Sequence, residues 1–443
     1  MGLSCRRLAR PYHCHCRARR IDVHADGVLP IWLPDRCTIE LFEIELQEQL
    51  LDMARLVGCF ARRFDLWVLD RVMRVRPLRN RSWLRFRHAI SALLLVADLT
   101  LSGCNSHESR RALVLRGQAM GTTWRVTLPR RPDSSAASRW RQEIATRLEQ
   151  LEAELSHWRE DSLVSQFNRT DSTRPFEISS AFAAIIGEAQ GTYELTHGAF
   201  DITAAPLIEM WGFGPPGRQK ELPTPERIQH VLGHIGCDHL QLGQSASGSF
   251  VLSKRNPLVQ IDLSALAKGY AIDVIAEYLS AEQFDSYLIE LGGELRARGT
   301  SASGNVWRIG LEQPDTRLID HVRRTILLRD RAIATSGGYR NFIHDAKTSA
   351  NPHSHIIDPR TGRPVDHHLL SVSVIEFSAM RADAWATALM VLGPEEGFQL
   401  ATERKMAATF VINTASGMFE RMTKSFENHV EYSRSLDGLT EQQ

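Results

Sequence analysis

The sequence predicts a single compact α+β domain of interleaved strands and helices, preceded by a long segment of different character. Two observations carry that class. From Glu108 onward, stretches that alternate apolar and polar residues take turns with stretches whose apolar residues recur every three or four positions. No linker rich in Gly or Ser and no internal repeat divides this part of the chain. The roughly 340 residues from Cys104 onward suffice to bury a full core.

The elements follow in order. "ESRRALVLRGQAMGTTWRVTLP" alternates around a Met-Gly turn and predicts two strands. Ser138 to Trp158 places Ile144, Leu148, Leu151 and Leu155 on one face of an amphipathic helix. "SSAFAAIIGEAQGTYELTHG" predicts a helix capped by Ser179 or Ser180. "LVQIDLSALAKGYAIDVIAEYL" reads as a strand turning into a helix. "SYLIELGGELRARG" and "VWRIGLEQP" read as successive strands, and "RTILLRDRAIATSGGYRNF" as two more, the first and last of the set broken by glycine pairs. After the turn-like "HIIDPRTGRPV" come the strand "LLSVSVIEF", the helix "AMRADAWATALMVLG" and final strands from "AATFVIN".

Charge and cysteine usage exclude some functions. A net charge of +1 argues against an electrostatic nucleic-acid surface, so nucleic acid is not an expected partner. Five of the seven cysteines precede Met73, which leaves Cys104 and Cys237 and no disulfide framework in the body.

The stretch "LTLSGCNS" reads like the end of a secretion signal. Six arginines from Arg74 to Arg87 precede the apolar run "AISALLLVADLTL", and small residues then lead to Cys104. That order resembles the lipobox of bacterial lipoproteins, in which the cysteine is lipidated and becomes the mature N-terminus. Residues 1–72 are therefore expected to be a non-native extension from a mis-called start, 73–103 a lipoprotein signal peptide, and 104–443 the functional domain. A lipid on Cys104 would anchor the domain at the periplasmic face of a bacterial membrane, inner or outer.

Several polar clusters carry candidate chemistry. Asp201 lies near Gly198 in "GAFDITAAPL", and Asp262 and Ser264 sit at the mouth of a helix whose free N–H groups can hold a phosphate. Gly292 and Gly293 permit close backbone approach, although such a pair also suits a bulge. Asp383 and Thr387, at i and i+4, put two oxygens on one helical face for a hard cation; a helix-dipole Asp beside a core-facing Thr is the alternative. His355 is a candidate general base because an imidazole titrates near neutrality.

"GQAMGTTWRVTL", "GAFDITAAPLIEMWGFG", "IDLSALAKGYAID", "ELGGELRARG", "ATSGGYRNF", "HIIDPRTGRPV" and "ADAWATALMVLG" occur in this order. Together they resemble the FAD:protein FMN transferase family, the ApbE lipoproteins, over nearly all of the body. The resemblance implies a T-fold-like domain that binds FAD with Mg²⁺, transfers FMN to a Thr or Ser hydroxyl of a partner, and releases AMP. It implies acceptors among subunits of membrane redox complexes or extracytoplasmic flavoproteins, at a motif like Asp-x-x-Ser/Thr-Gly-Ala-Ser/Thr. By the same similarity His355 is the base, and Asp383, Thr387 and the Ala265 carbonyl are metal ligands. Met120, Trp158, Ala199, Phe200, Asp201, Asp262 and Ile357 match cofactor-holding positions. Lys268, also placed at the cofactor, stands where some relatives carry Glu, and Ala386 where some carry a further acid. An FAD pyrophosphatase, with water as the nucleophile, and a non-catalytic flavin-binding lipoprotein are the competing readings.

Overall fold

The computed structural model describes residues 112–129, 136–215, 222–314, 321–338, 342–343 and 353–431. Cys104 and the expected extension and signal peptide lie outside the described residues.

Eight strands form one sheet: β1 (Leu113–Ala119), β2 (Thr122–Leu128), β3 (Tyr287–Leu291), β4 (Glu294–Arg298), β5 (Arg331–Gly337), β6 (Leu369–Glu376), β7 (Ala407–Thr414) and β8 (Gly417–Met422). Their spatial order is their chain order, and every neighbouring pair is antiparallel. Helices α1 (Ala137–Leu155), α2 (Ser180–Leu195) and α3 (Ser264–Ala281) are inserted between β2 and β3, and α4 (Ala379–Glu403) between β6 and β7. An antiparallel sheet with helices held in long insertions is the expected α+β class.

The alternation of strand side chains separates two cores. Ala332, Ala334, Val372 and Val374 face the helices, where Ile144, Leu148, Leu151 and Leu155 of α1 supply the expected apolar stripe. Ile333 and Ile375 face the other way and pack with Trp307, Ile309, Leu311 and Ile326 of a hairpin, Trp307–Glu312 and Val322–Leu328, inserted between β4 and β5. Each large apolar side chain buried this way contributes about 1.5–3 kcal/mol.

The β1–β2 turn holds Met120 and Gly121 at φ 51° and 71°, the two positive values that a two-residue hairpin of matching twist requires. Ser179 caps α2, its hydroxyl accepting the Phe182 N–H at 3.0 Å. Helices α3 and α4 cross at Gly269, where an added Cβ would lie 2.3 Å from the Ala379 carbonyl oxygen. Asp273 on α3 caps α4 from outside, accepting the N–H groups of Ala379 at 2.9 Å and Met380 at 3.0 Å.

The structure departs from the expected elements at three places. "LVQID" forms no strand: Val259, Ile261 and Leu263 do turn inward, but the Asn168 side-chain amide takes the place of a neighbouring strand. It donates to the Ile261 carbonyl and accepts the Ile261 N–H, each at 2.8 Å. "SYLIELGGELRARG", expected as a strand broken at its glycine pair, is a full hairpin, because Gly292 and Gly293 at φ 66° and 110° reverse the chain. Beyond "MVLG" a second helical segment runs to Glu403, set off from the first by the non-helical backbone of Gly393 (φ 80°) and by Pro394.

Candidate active site

A cleft of about 940 Å³ gathers the candidate residues. Trp158, Ala199, Phe200, Asp201, Asp262, Ala265, Lys268, His355, Ile357, Asp383 and Thr387 all line it. Met120 does not: it forms the β1–β2 turn, where its N–H donates to Glu152 Oε2 at 3.0 Å, while the adjacent Thr122 and Thr123 reach the cleft.

The deepest charges come from the α3–α4 crossing and the β3–β4 turn. Asp383 is 3% exposed, and burial pushes its carboxyl up to about 7 despite the attraction of Lys268. Glu294, buried beside it, is likewise shifted upward by burial. Burial opposes the charge on Lys268, yet the Asp383, Glu294 and Asp262 carboxylates overcome it and hold the ammonium above its usual range. Its Nζ lies 3.1 Å from Glu294 Oε1, and Glu294 Oε2 is buried without a hydrogen-bond partner.

The Gly269 N–H, which an ideal helix directs to the Ala265 carbonyl, donates to Asp383 Oδ2 at 3.1 Å. The Asp383 carboxylate is thus tied to the first turns of α3, and Ala265 of that helix lines the same cleft. Thr387 completes the expected face one helical turn beyond Asp383, its Oγ1 3.1 Å from Ser336 Oγ of β5. Among the described residues no group of three or more His, Cys, Asp or Glu is placed to hold a metal. The donors here are a carboxylate, a hydroxyl and a carbonyl, all hard oxygens, and Glu294 Oε2 stands nearby without a hydrogen-bond partner; this set fits a small hard dication.

Past the start of α3 the cleft wall is built on Asp262, whose Oδ1 accepts the Ser264 N–H at 2.8 Å and lies 3.1 Å from His157 Nδ1. Burial opposes ionisation of Asp262, but His157 and Ser264 hold its carboxyl below the usual range. For His157, burial favours the neutral ring, and the Asp262 and Glu209 carboxylates more than offset it, so its pKa is raised.

Asp201 caps a 3₁₀ turn, Ile202–Ala204, its Oδ1 accepting the Thr203 N–H at 2.8 Å and hydroxyl at 2.6 Å. Burial raises its pKa and, with Asp201 adjacent, that of the Cys237 thiol as well. Trp158 is 60% exposed and presents a flat apolar face. His355 packs edge-on against Phe213, ring centroids 6.2 Å apart. Arg360 is engaged by Asp358 and Glu396, a structural arrangement.

Sequence reasoning passed over His157, Glu294, Ser336 and Phe213. Glu294 and Phe213 stand within quoted motifs, and His157 directly precedes Trp158, but nothing local indicates that His157 will meet an aspartate more than a hundred residues away.

A sequence model of the ApbE family matches residues 120–410. The "FAD:protein FMN transferase" of Vibrio cholerae is 36% identical over 349 residues, 78% of this chain and 98% of its own. The protein of that name from Escherichia coli K12 is 34% identical over 342 residues, 76% of this chain and 95% of its own. Among solved structures, "Flavin Transferase ApbE from Vibrio cholerae" superposes with TM-score 0.65 at 35% identity, over 72% of this chain and 99% of that one. Pseudomonas stutzeri flavinyl transferase ApbE in its apo form gives 0.66 at 34%, over 73% and 98%. With the family matched over most of the body and the cleft assembled from its motifs, the chain belongs to the ApbE family.

Proposed function

We propose that this chain transfers the FMN half of FAD to a Ser or Thr hydroxyl of a flavin-acceptor protein, with release of AMP. The observation that carries the reading is one cleft shared by the buried Asp383–Lys268–Glu294 cluster and His355. Relatives named FAD:protein FMN transferase support it.

The reaction exchanges the phosphoanhydride link of FAD for a phosphoester link to the acceptor. The acceptor hydroxyl oxygen bonds to the FMN-side phosphorus of FAD, the bridging P–O bond breaks, and its electron pair leaves on the phosphate of AMP. His355 takes the hydroxyl proton as general base and passes it to solvent. Asp262, Asp201 and the Trp158 face hold and orient the dinucleotide. Asp383, Thr387 and the Ala265 carbonyl would hold Mg²⁺, which when bound supplies charge neutralisation at the phosphate oxygens. Lys268 offsets part of the burial that disfavours the charged forms of Asp383 and Glu294 beside that position.

A lipid on Cys104 would keep the domain at the periplasmic face of a membrane, within reach of acceptor subunits of membrane redox complexes or extracytoplasmic flavoproteins. That placement rests on the arginine, apolar and small-residue order before Cys104.

The test mixes the chain with FAD, Mg²⁺ and a domain bearing the acceptor motif, then reads the domain by mass spectrometry. A mass increase of one FMN on Thr or Ser that requires both Mg²⁺ and His355 is the expected result. FMN and AMP without an adduct would make the protein a pyrophosphatase, and intact FAD would leave a flavin-binding protein.

A further inference from the structure

The cleft extends well beyond the residues assigned to FAD and metal. Five consecutive residues of the inserted hairpin, Arg308 to Glu312, line it. Side chains of a strand alternate, so an unbroken run of lining residues means that the strand meets the cleft along its backbone edge.

Register fixes what that edge offers. In the hairpin Arg308 opposes Leu327 and Gly310 opposes Thr325. The Leu327 N–H donates away from the hairpin to the His429 carbonyl at 2.7 Å, and the Thr325 carbonyl accepts the Glu431 N–H at 3.0 Å. Directly opposed residues of an antiparallel ladder either exchange both hydrogen bonds or neither. Arg308 and Gly310 therefore point their N–H and C=O groups outward, at the open side of their strand. Among the described residues no strand pairs with that side. Ile309 and Leu311 are buried in the second core, which holds the edge rigid.

We propose that this edge receives an extended segment of the acceptor polypeptide as an added strand, an inference that rests on the transferase reading. Outward backbone groups at Arg308 and Gly310 recognise main chain irrespective of side chain, so the segment would be aligned along the cleft that also holds His355. Arg308 and Arg125 line the same cleft, and each is already paired at the surface, with Glu431 at 2.7 Å and Glu290 at 3.5 Å, so an acidic residue of the segment would have to exchange with those carboxylates and recognition rests on the main chain.

The experiment uses the full chain, FAD, Mg²⁺ and a synthetic peptide with Asp-Gly-Ile-Ser-Gly-Ala-Thr at its centre. Arg308→Pro deletes one outward N–H at an edge position where proline is tolerated. It should lower peptide labelling by at least about tenfold, the worth of a strong hydrogen bond, with FAD binding by flavin fluorescence retained. Arg308→Ala keeps the N–H, loses only the charge, and should cost about threefold. Equal labelling by Arg308→Pro and the unsubstituted chain would overturn the proposal. Should Arg308→Pro fail to fold, peptides N-methylated at alternate residues decide: one methylation register alone should suppress labelling, and equal effects of both registers would overturn the added strand. If the unsubstituted chain binds FAD but leaves the peptide unlabelled, the transferase reading itself falls.

Discussion

The two walls of the cleft are built on opposite electrostatic terms. On the helix side, Asp383, Glu294 and Lys268 are held at the α3–α4 crossing away from water, and their charges depend on one another. On the hairpin side the charges are exposed pairs such as Arg308 with Glu431 at 2.7 Å and Arg125 with Glu290 at 3.5 Å. A pair in water is worth about 0–1 kcal/mol, whereas removing one member of a buried cluster leaves the rest unpaired at a cost of about 3–5 kcal/mol. Chemistry that must polarise a phosphate belongs on the first wall, and recognition that must form and release a partner belongs on the second.

Four substitutions can break or sharpen that contrast, from the largest expected effect down. Asp383→Ala removes the charged oxygen expected at the metal and should cut Mg²⁺-dependent transfer by at least about 10³-fold. Single-turnover transfer against Mg²⁺ concentration reads this, and an unchanged curve would take Asp383 out of the metal site. His355→Ala should keep FAD binding while slowing transfer by about 10²–10⁴-fold; loss of FAD affinity instead would make His355 a cofactor-holding residue.

Gly269→Ala gains helix propensity of about 1 kcal/mol but forces a Cβ to 2.3 Å from a backbone oxygen. The clash prevails because a crossing helix cannot yield as a side chain does, and a net loss of about 1–3 kcal/mol should appear in chemical denaturation. His157→Gln has the smallest and most pH-dependent effect. A folded pKa raised by Asp262 and Glu209 stabilises the fold fully below the unfolded value of about 6.5, and that contribution is lost as pH rises through the folded value. The Tm gap between the unsubstituted chain and His157→Gln should therefore be widest near about pH 6 and narrow with rising pH; a gap that widens on the alkaline side would refute the His157–Asp262 pairing.

What was legible in the sequence follows the same division. Asp383 and Thr387 could be placed on one face because a helix fixes i and i+4 neighbours, and the buried stripe of α1 followed from its period. The ordered motifs marked nearly every residue of the buried wall. The hairpin wall carries no motif: its relation to the cleft arises from strand pairing with residues 429–431, far along the chain, and periodicity cannot report that. "LVQID" misled for a related reason, since alternation records which side chains turn inward and not whether a strand or the Asn168 amide satisfies the backbone. Met120, expected among the cofactor residues, sits at φ 51° in the turn that leads into Thr122 and Thr123, and those two threonines rather than Met120 line the cleft.

The cap that Asp273 provides reaches beyond local geometry. Because the first N–H groups of α4 are satisfied by a carboxylate carried on α3, neither helix can open without stranding polar groups of the other. Fraying at the start of α4, the ordinary first step of local unfolding, is thereby tied to separation of the two helices, and Asp383 sits one turn inside that latch. Amide hydrogens around Asp383 should exchange with solvent only at the rate of the whole domain, so the carboxylate proposed to hold the metal is kept in place by the cooperativity of folding itself.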